Sequence, residues 1–138
     1  MADLRLADTS AWHHSDHAAV APHWRRQVRA RAVAVTEPVR LEILYSARSH
    51  GEYTLMSAQL DALRQLPCTQ EAFLRALDVQ SMLAARRPLH HRVSVRDLII
   101  AAVAELAGAT VWHYDADYDR IAEVTGQPVE WVAHRGSL

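Results

Sequence analysis

Five short apolar runs, at residues 4–7, 32–35, 66–68, 110–114 and 129–132, are separated by stretches with the length and patterning of helices. Strands this short, with little polar alternation, are buried on both faces, and strands joined through helices run parallel. The chain is thereby constrained to an α/β fold with a parallel sheet covered by helices on both sides. Such sheets bind ligands at the carboxyl ends of their strands, where the strand order reverses. Chemistry is to be sought at that edge.

Between the runs the helix signals are clear. Asp8-Thr9-Ser10 ends the first run with good helix-start residues. Residues 12–31 read as mostly helical, broken near Pro22. Thr36 caps a helix that carries Pro38 in its first turn and runs to about residue 49. Gly51 breaks the chain, and a helix follows over residues 53–65. Residues 66–68 are the weakest strand of the five, and Thr69 then caps a helix over 71–87, stopped by Pro88. Residues 94–107 are strongly helical, with Gly108 just past the end. A final helix over 117–124 leads through Gly126-Gln127-Pro128 into the last strand.

With 138 residues and no repeat or linker, residues 1–138 read as a single domain. Half of the residues are hydrophobic, which argues against disorder. The single Cys68 excludes an internal disulfide framework and a zinc site built on CxxC. No apolar run approaches the ~20 residues of a membrane span. The first ten residues, MADLRLADTS, are interrupted by Asp3 and Asp8 and contain no signal-peptide core. A soluble cytoplasmic protein is expected.

The net charge of −1 conceals an asymmetry. All 15 basic residues are Arg. Residues 20–50 hold six Arg against Glu37 and Glu42, and residues 86–96 hold four Arg and two His with no acid. Residues 97–130 hold seven acids and only Arg120. Basic stretches beside an acidic one suit a polyanion drawn toward a metal held by carboxylates; solvated helix faces are the plainer account of any one stretch.

Four acids converge on the chemically interesting edge. Asp8 ends the first strand and Asp115 follows the fourth. Asp97 falls in the first turn of the 94–107 helix, and Glu42 in the second turn of the helix that follows strand two. A cluster of carboxylate oxygens suits a hard cation, Mg²⁺ or Mn²⁺, which can activate water for phosphodiester hydrolysis. Each acid taken singly has another account. Asp8 and Asp115 can cap the helices that follow them, and Asp97, three residues after Ser94, fits a capping box. Glu42 has no charged neighbour three or four residues away, so no ion-pair ladder explains it.

Asp8-Thr9-Ser10-Ala11-Trp12, Glu42 in RLEILYSAR, Asp97 in VRDLIIAAVAE and the segment TVWHYDADYDRIAEVTGQPVEW together resemble a PIN-domain protein, and more closely a VapC-type toxin of a bacterial toxin–antitoxin pair. The resemblance covers essentially the whole chain, with the acidic motifs in family order and spacing. It implies a PIN-like three-layer α/β/α sandwich with a parallel five-stranded sheet in the order 3-2-1-4-5. It implies a Mg²⁺-dependent endoribonuclease, with Mn²⁺ as a substitute, whose metal and catalytic acids are Asp8, Glu42, Asp97 and Asp115. Thr9 and Asp117 match accessory positions. A cognate VapB-type antitoxin, an RNA substrate and a homodimer are implied as well. The segment HRVSVRD departs from the Pro-rich sequence that often precedes the third acid, and the histidine density around Trp12 is unusual. A receiver domain would need a lysine late in the sheet, and a haloacid-dehalogenase-type phosphatase a DxD after strand one; the chain has neither. The remaining alternative is a catalytically silent PIN-fold module that binds RNA or an antitoxin.

Other residues carry weaker signals. Arg25, Arg26, Arg29, Arg92 and Arg96 are candidates for holding RNA phosphates. Trp24, among these arginines, is either a stacking platform for a base or a core residue. Trp112 and Trp131 lie in expected strands and read as core, and Cys68 as an inert buried thiol. His13 and His17, four apart on an expected helix, have zinc spacing, but no further ligands stand nearby in sequence. The helix pair 36–49 and 53–65 carries Leu41, Leu44, Tyr45, Leu55, Leu60 and Leu63, more apolar surface than one side of a small sheet covers. An antitoxin groove beside the acids is one account of it, and core or homodimer contact the other.

Overall fold

In the computed structural model, which describes residues 3–138, five parallel strands form one sheet in the order β3-β2-β1-β4-β5. The strands are β1 (Arg5–Ala7), β2 (Val33–Val35), β3 (Arg64–Gln65), β4 (Thr110–His113) and β5 (Val129–Trp131). The helices are α1 (Thr9–His13), α2 (Ala21–Arg29), α3 (Glu37–Tyr45), α4 (His50–Asp61), α5 (Gln70–Arg86), α6 (Val95–Ala107) and α7 (Asp117–Thr125). This is the expected three-layer α/β/α sandwich with the expected strand order.

Alternation along the central strands divides the core in two. Leu6 and Val111 face a large cluster built with α5, α6 and α7. Ala7 and Trp112 face a smaller one with Ala11, Val20, Trp24, Val33 and Val132. In the smaller core Trp24 stacks on Trp112 with ring centroids 4.9 Å apart and meets Trp12 edge-on at 4.8 Å. Trp24 is therefore core, and the base-stacking account does not hold. Its ring faces a sheet only a few residues long, and burying so large an apolar surface outweighs presenting it to solvent.

Local signals explain most boundaries. Ser49, Thr69 and Ser94 accept backbone N–H groups at the starts of α4, α5 and α6. Gly108 and Gly126 end α6 and α7 at φ 68° and 69°, a left-handed conformation that favours glycine. Four expectations are corrected. The 12–31 stretch is two helices, because a run of turns over residues 14–20 separates them; Pro22 lies inside the first turn of α2 rather than at a break. Gly51 does not interrupt the chain, since the Ser49 cap starts α4 ahead of it. Helices α3 and α4 end at Tyr45 and Asp61, short of 49 and 65. The third strand is Arg64–Gln65 rather than 66–68: both residues are exposed, and backbone pairing with Ala34 and Val35 defines the strand, while Leu66 buries its side chain just beyond it. No helix of the described residues is long and apolar enough to cross a membrane.

Candidate active site

Strands β1 and β4 pair side by side at the centre of the sheet, with Ala7 opposite Trp112. The residues leaving their carboxyl ends meet there: Asp8 after β1, and Asp115 and Asp117 after β4. Asp97 arrives from the first turn of α6. The tightest group is Asp97, Asp115 and Asp117, whose nearest carboxylate oxygens all lie within 4.8 Å of one another. Asp115 Oδ1 accepts the Asp117 backbone N–H at 2.9 Å, and Asp117 Oδ2 accepts the Ser94 N–H at 2.9 Å. Each side chain is thus fixed through one oxygen and keeps the other.

Asp97 is fully buried, and its Oδ2 has no hydrogen-bond partner. Such an oxygen is costly unless it is protonated or faces a cation. Burial, with the neighbouring Asp115 and the charge of Asp8 acting in the same direction and the Arg96 guanidinium opposing them, pushes the Asp97 carboxyl up to about 8. Converging hard oxygens, one of them buried and unpartnered, fit Mg²⁺ or Mn²⁺.

Asp8 is both a helix cap and a neighbour of this group. Its Oδ2 accepts the Ser10 N–H at 3.0 Å and the Ser10 hydroxyl at 2.6 Å, and its Oδ1 accepts the Tyr118 hydroxyl at 2.8 Å. Glu42 lies half-buried beside them. Thr9 Oγ1 donates to its Oε1 at 3.0 Å, and Arg96 Nη1 donates to its Oε2 at 2.5 Å. Arg96 also pairs with Asp97 Oδ1 at 3.5 Å. Burial opposes the guanidinium charge, but the charges of Asp8, Glu42 and Asp97 outweigh it and hold Arg96 above its ordinary value.

The arginines named from sequence divide. Arg96 turns inward onto the acids, whose field attracts it. Arg92 is exposed in the loop that leads to Ser94. Arg25, Arg26 and Arg29 are exposed on α2, which descends toward the amino end of β2. Arg29 therefore lies toward the opposite edge of the sheet from the acids. His13 ends α1 while His17 sits in the following turn, where its Nδ1 accepts the Ala19 N–H at 3.1 Å. The four-residue spacing places two histidines on one face only along a continuous helix, and the turn removes that continuity. Trp131, read from sequence as core, is only half-buried, with its Nε1 donating to Asp119. Cys68 is likewise half-buried; burial and Glu37 push its thiol up.

Sequence reasoning missed Tyr118 and Ser10 as partners of Asp8, and His113 behind them. The Asp115 N–H donates to His113 Nδ1 at 3.1 Å, so the proton resides on Nε2, which is buried without a partner. Burial lowers the His113 pKa and keeps the ring neutral. Nothing in the local sequence marks these contacts, because a tyrosine in a helix reads as core.

Beside Glu42 opens a cavity of about 590 Å³, lined chiefly by Thr9, Trp12, Leu41, Glu42, Ile43 and Tyr45. Leu41 and Tyr45 are 68% and 91% exposed. A second cavity of about 360 Å³ shares Trp12 and Ile43 with it and continues to Leu63. Leu44 and Leu60 are buried in the large core, and Leu60 also lines this second cavity.

The PIN domain family matches residues 5–124. Ribonuclease VapC18 of Mycobacterium tuberculosis is 50% identical over 132 residues, covering 95% of this chain and 96% of the relative. Ribonuclease VapC51 of the same organism is 39% identical, covering 100% of this chain and 99% of the relative. A DNA-bound VapBC from Salmonella typhimurium superimposes with a TM-score of 0.75 at 16% identity, covering 94% of this chain and 98% of that one.

Proposed function

The chain belongs to the PIN domain family, and from that premise we propose that it is a Mg²⁺-dependent endoribonuclease, the toxin of a type II toxin–antitoxin pair. The observation that carries this reading is the Asp97, Asp115 and Asp117 group, with its wholly buried and unpartnered Asp97 oxygen. The ribonuclease names of two relatives aligned along nearly the whole chain support the choice of RNA. The proposal takes residues 1–138 as one domain: β5 lies beyond the matched residues but pairs with β4 in the same sheet. It places the chain in the cytoplasm, where RNA is available.

In this reading Asp97, Asp115 and Asp117 hold the metal together with Asp8, and Glu42 stands at the rim. When bound, the cation supplies an activated water and charge to offset the leaving oxygen. The chain's own residues do the rest. Thr9 and Arg96 each hold one oxygen of Glu42. The backbone N–H groups of Ser94 and Asp117 fix Asp117 and Asp115. Arg92, exposed at the approach to α6, offers a guanidinium to a flanking phosphate. Neutral His113 lies behind the acids and adds no charge to the site.

The partners belong to the same proposal: a VapB-type antitoxin, a second copy of the chain in a homodimer, and RNA. The apolar cavity beside Glu42 supports an inhibitory segment laid across the site. The decisive experiment is cleavage of total RNA with added Mg²⁺ or Mn²⁺, with EDTA, and with Asp97→Asn. Metal-dependent cutting lost in the variant is expected. Undiminished cutting in excess EDTA would overturn metal dependence, and no cutting under any condition would leave the silent RNA- or antitoxin-binding module.

A further inference from the structure

We propose that Tyr118 is a positioning residue of the metal centre: its hydroxyl fixes Asp8 as a ligand that reaches the cation through one oxygen only. This rests on the metal-dependent reading above and adds a residue and a coordination mode to it.

Asp8 and Tyr118 are both fully buried, 110 positions apart in sequence, and the Tyr118 hydroxyl donates to Asp8 Oδ1 at 2.8 Å. The other oxygen, Oδ2, accepts the N–H and the hydroxyl of Ser10. The Ser10 hydroxyl is itself held, because its oxygen accepts the Tyr114 N–H at 2.9 Å. A carboxylate offers about four acceptor positions. Two donors occupy Oδ2 and one occupies Oδ1, so a single position remains, on Oδ1. Asp8 therefore cannot chelate through both oxygens, and the direction of its free lone pair is set by where Tyr118 sits.

The oxygen of Tyr118 has little else to do. The ring packs in the large core and against His113, with centroids 4.9 Å apart. Phenylalanine would fill the same space. Among the described residues the hydroxyl has Asp8 as its only hydrogen-bond partner. Tyr118 also follows Asp117 directly, at the start of α7. One helical turn thus delivers Asp117 to the Asp97–Asp115 group and Tyr118 to Asp8, so the spacing between the two halves of the centre is set by a single rigid element.

The test is Tyr118→Phe, with Mn²⁺ binding measured by calorimetry on the chain without RNA, alongside RNA cleavage as a function of Mn²⁺ concentration. Loss of an outer hydrogen bond to a ligand typically weakens metal binding about 10–100-fold. The expected result is a rise in Mn²⁺ Kd of about tenfold or more, a cooperative melt below the parent's because Asp8 Oδ1 loses its buried donor, and a cleavage rate that recovers at saturating Mn²⁺. A purely structural role would instead lower the rate at every metal concentration and leave Kd unchanged. A parent that binds Mn²⁺ and a variant whose Kd is less than about twofold changed would overturn the proposal while leaving the nuclease reading intact. A parent that binds no Mn²⁺ would overturn both. If Tyr118→Phe does not fold, Ser10→Ala carries the test of the one-oxygen mode: it frees a position on Oδ2, so Asp8 can then chelate through both oxygens and the Mn²⁺ Kd falls; an unchanged Kd there would refute the clamp.

Discussion

Arg96 donates to Glu42 at 2.5 Å while its guanidinium also pairs with Asp97, placing one cation of the chain itself among the acids. Crowded carboxylates repel one another, and this guanidinium offsets part of that repulsion.

Replacing Arg96 by Gln should therefore destabilise the metal-free chain modestly. A partly exposed pair contributes about 1 kcal/mol or less. The same change removes a competitor for the carboxylates, so the rise in melting temperature on adding millimolar Mg²⁺ should be larger in Arg96→Gln than in the parent. Thermal melts with and without Mg²⁺ measure both quantities. A metal-induced rise smaller than the parent's would show that Arg96 assists metal binding.

Asp97→Asn and Asp115→Asn should each lower RNA cleavage by at least about 100-fold and relieve growth inhibition on expression. Asp8 needs separate treatment. Asp8→Ala removes the cap of α1, worth about 1 kcal/mol. It also leaves the buried Tyr118 hydroxyl without a partner, at a further cost of about 1–3 kcal/mol. Asp8→Ala should thus lose both activity and stability, whereas the Asp97 and Asp115 variants lose activity alone. Circular dichroism melts beside the cleavage assay separate the two outcomes, and a fully stable Asp8→Ala would contradict the buried network.

Stability should depend on pH through Asp97. Its carboxyl is pushed up to about 8 in the folded chain, against about 4 in the unfolded one. Between those values the folded chain retains a proton that the unfolded chain has released, so this group lowers stability as pH rises and has its full effect above about 8. Buried His113 acts in the opposite direction: its lowered pKa costs stability as pH falls below its ordinary value. The difference between parent and Asp97→Asn isolates the first effect. In chelator the two should melt together at pH 4 and diverge up to pH 8, with the variant higher by several degrees. Equal melting temperatures at pH 8 would mean that Asp97 is ionised in the metal-free fold.

The antitoxin should cover the cavity beside Glu42. Hydrogen exchange on the chain with and without the proposed antitoxin should show protection in residues 38–65, which carry Leu41, Glu42 and Tyr45, together with α1. Protection confined elsewhere would remove the groove from the account without touching the nuclease assignment. Exposed Leu41 and Tyr45 give a direct check: Leu41→Asp with Tyr45→Ser should weaken the complex about tenfold or more, since burying large apolar side chains contributes about 1.5–3 kcal/mol each.

Sequence by itself determined the layered parallel sheet, its strand order through family resemblance, and the gathering of Asp8, Asp97 and Asp115 at one edge. Those features follow from local periodicity, from caps such as Ser94, and from the rule that whatever follows a parallel strand emerges at its carboxyl end. Only the tertiary structure decided what each acid does there. Asp117 joined Asp97 and Asp115 because Ser94, 23 residues away, holds its carboxylate. Arg96 turned inward, and α2 carried Arg29 to the far edge. His13 and His17 separated at a turn that no strong breaker announces. Tyr118 found Asp8 across 110 positions. Hydrogen bonds reach about 3 Å and depend on direction, so they are fixed by the final packing of the layers; hydrophobic patterning selects which faces meet, and carries no record of which polar atoms will then point at one another.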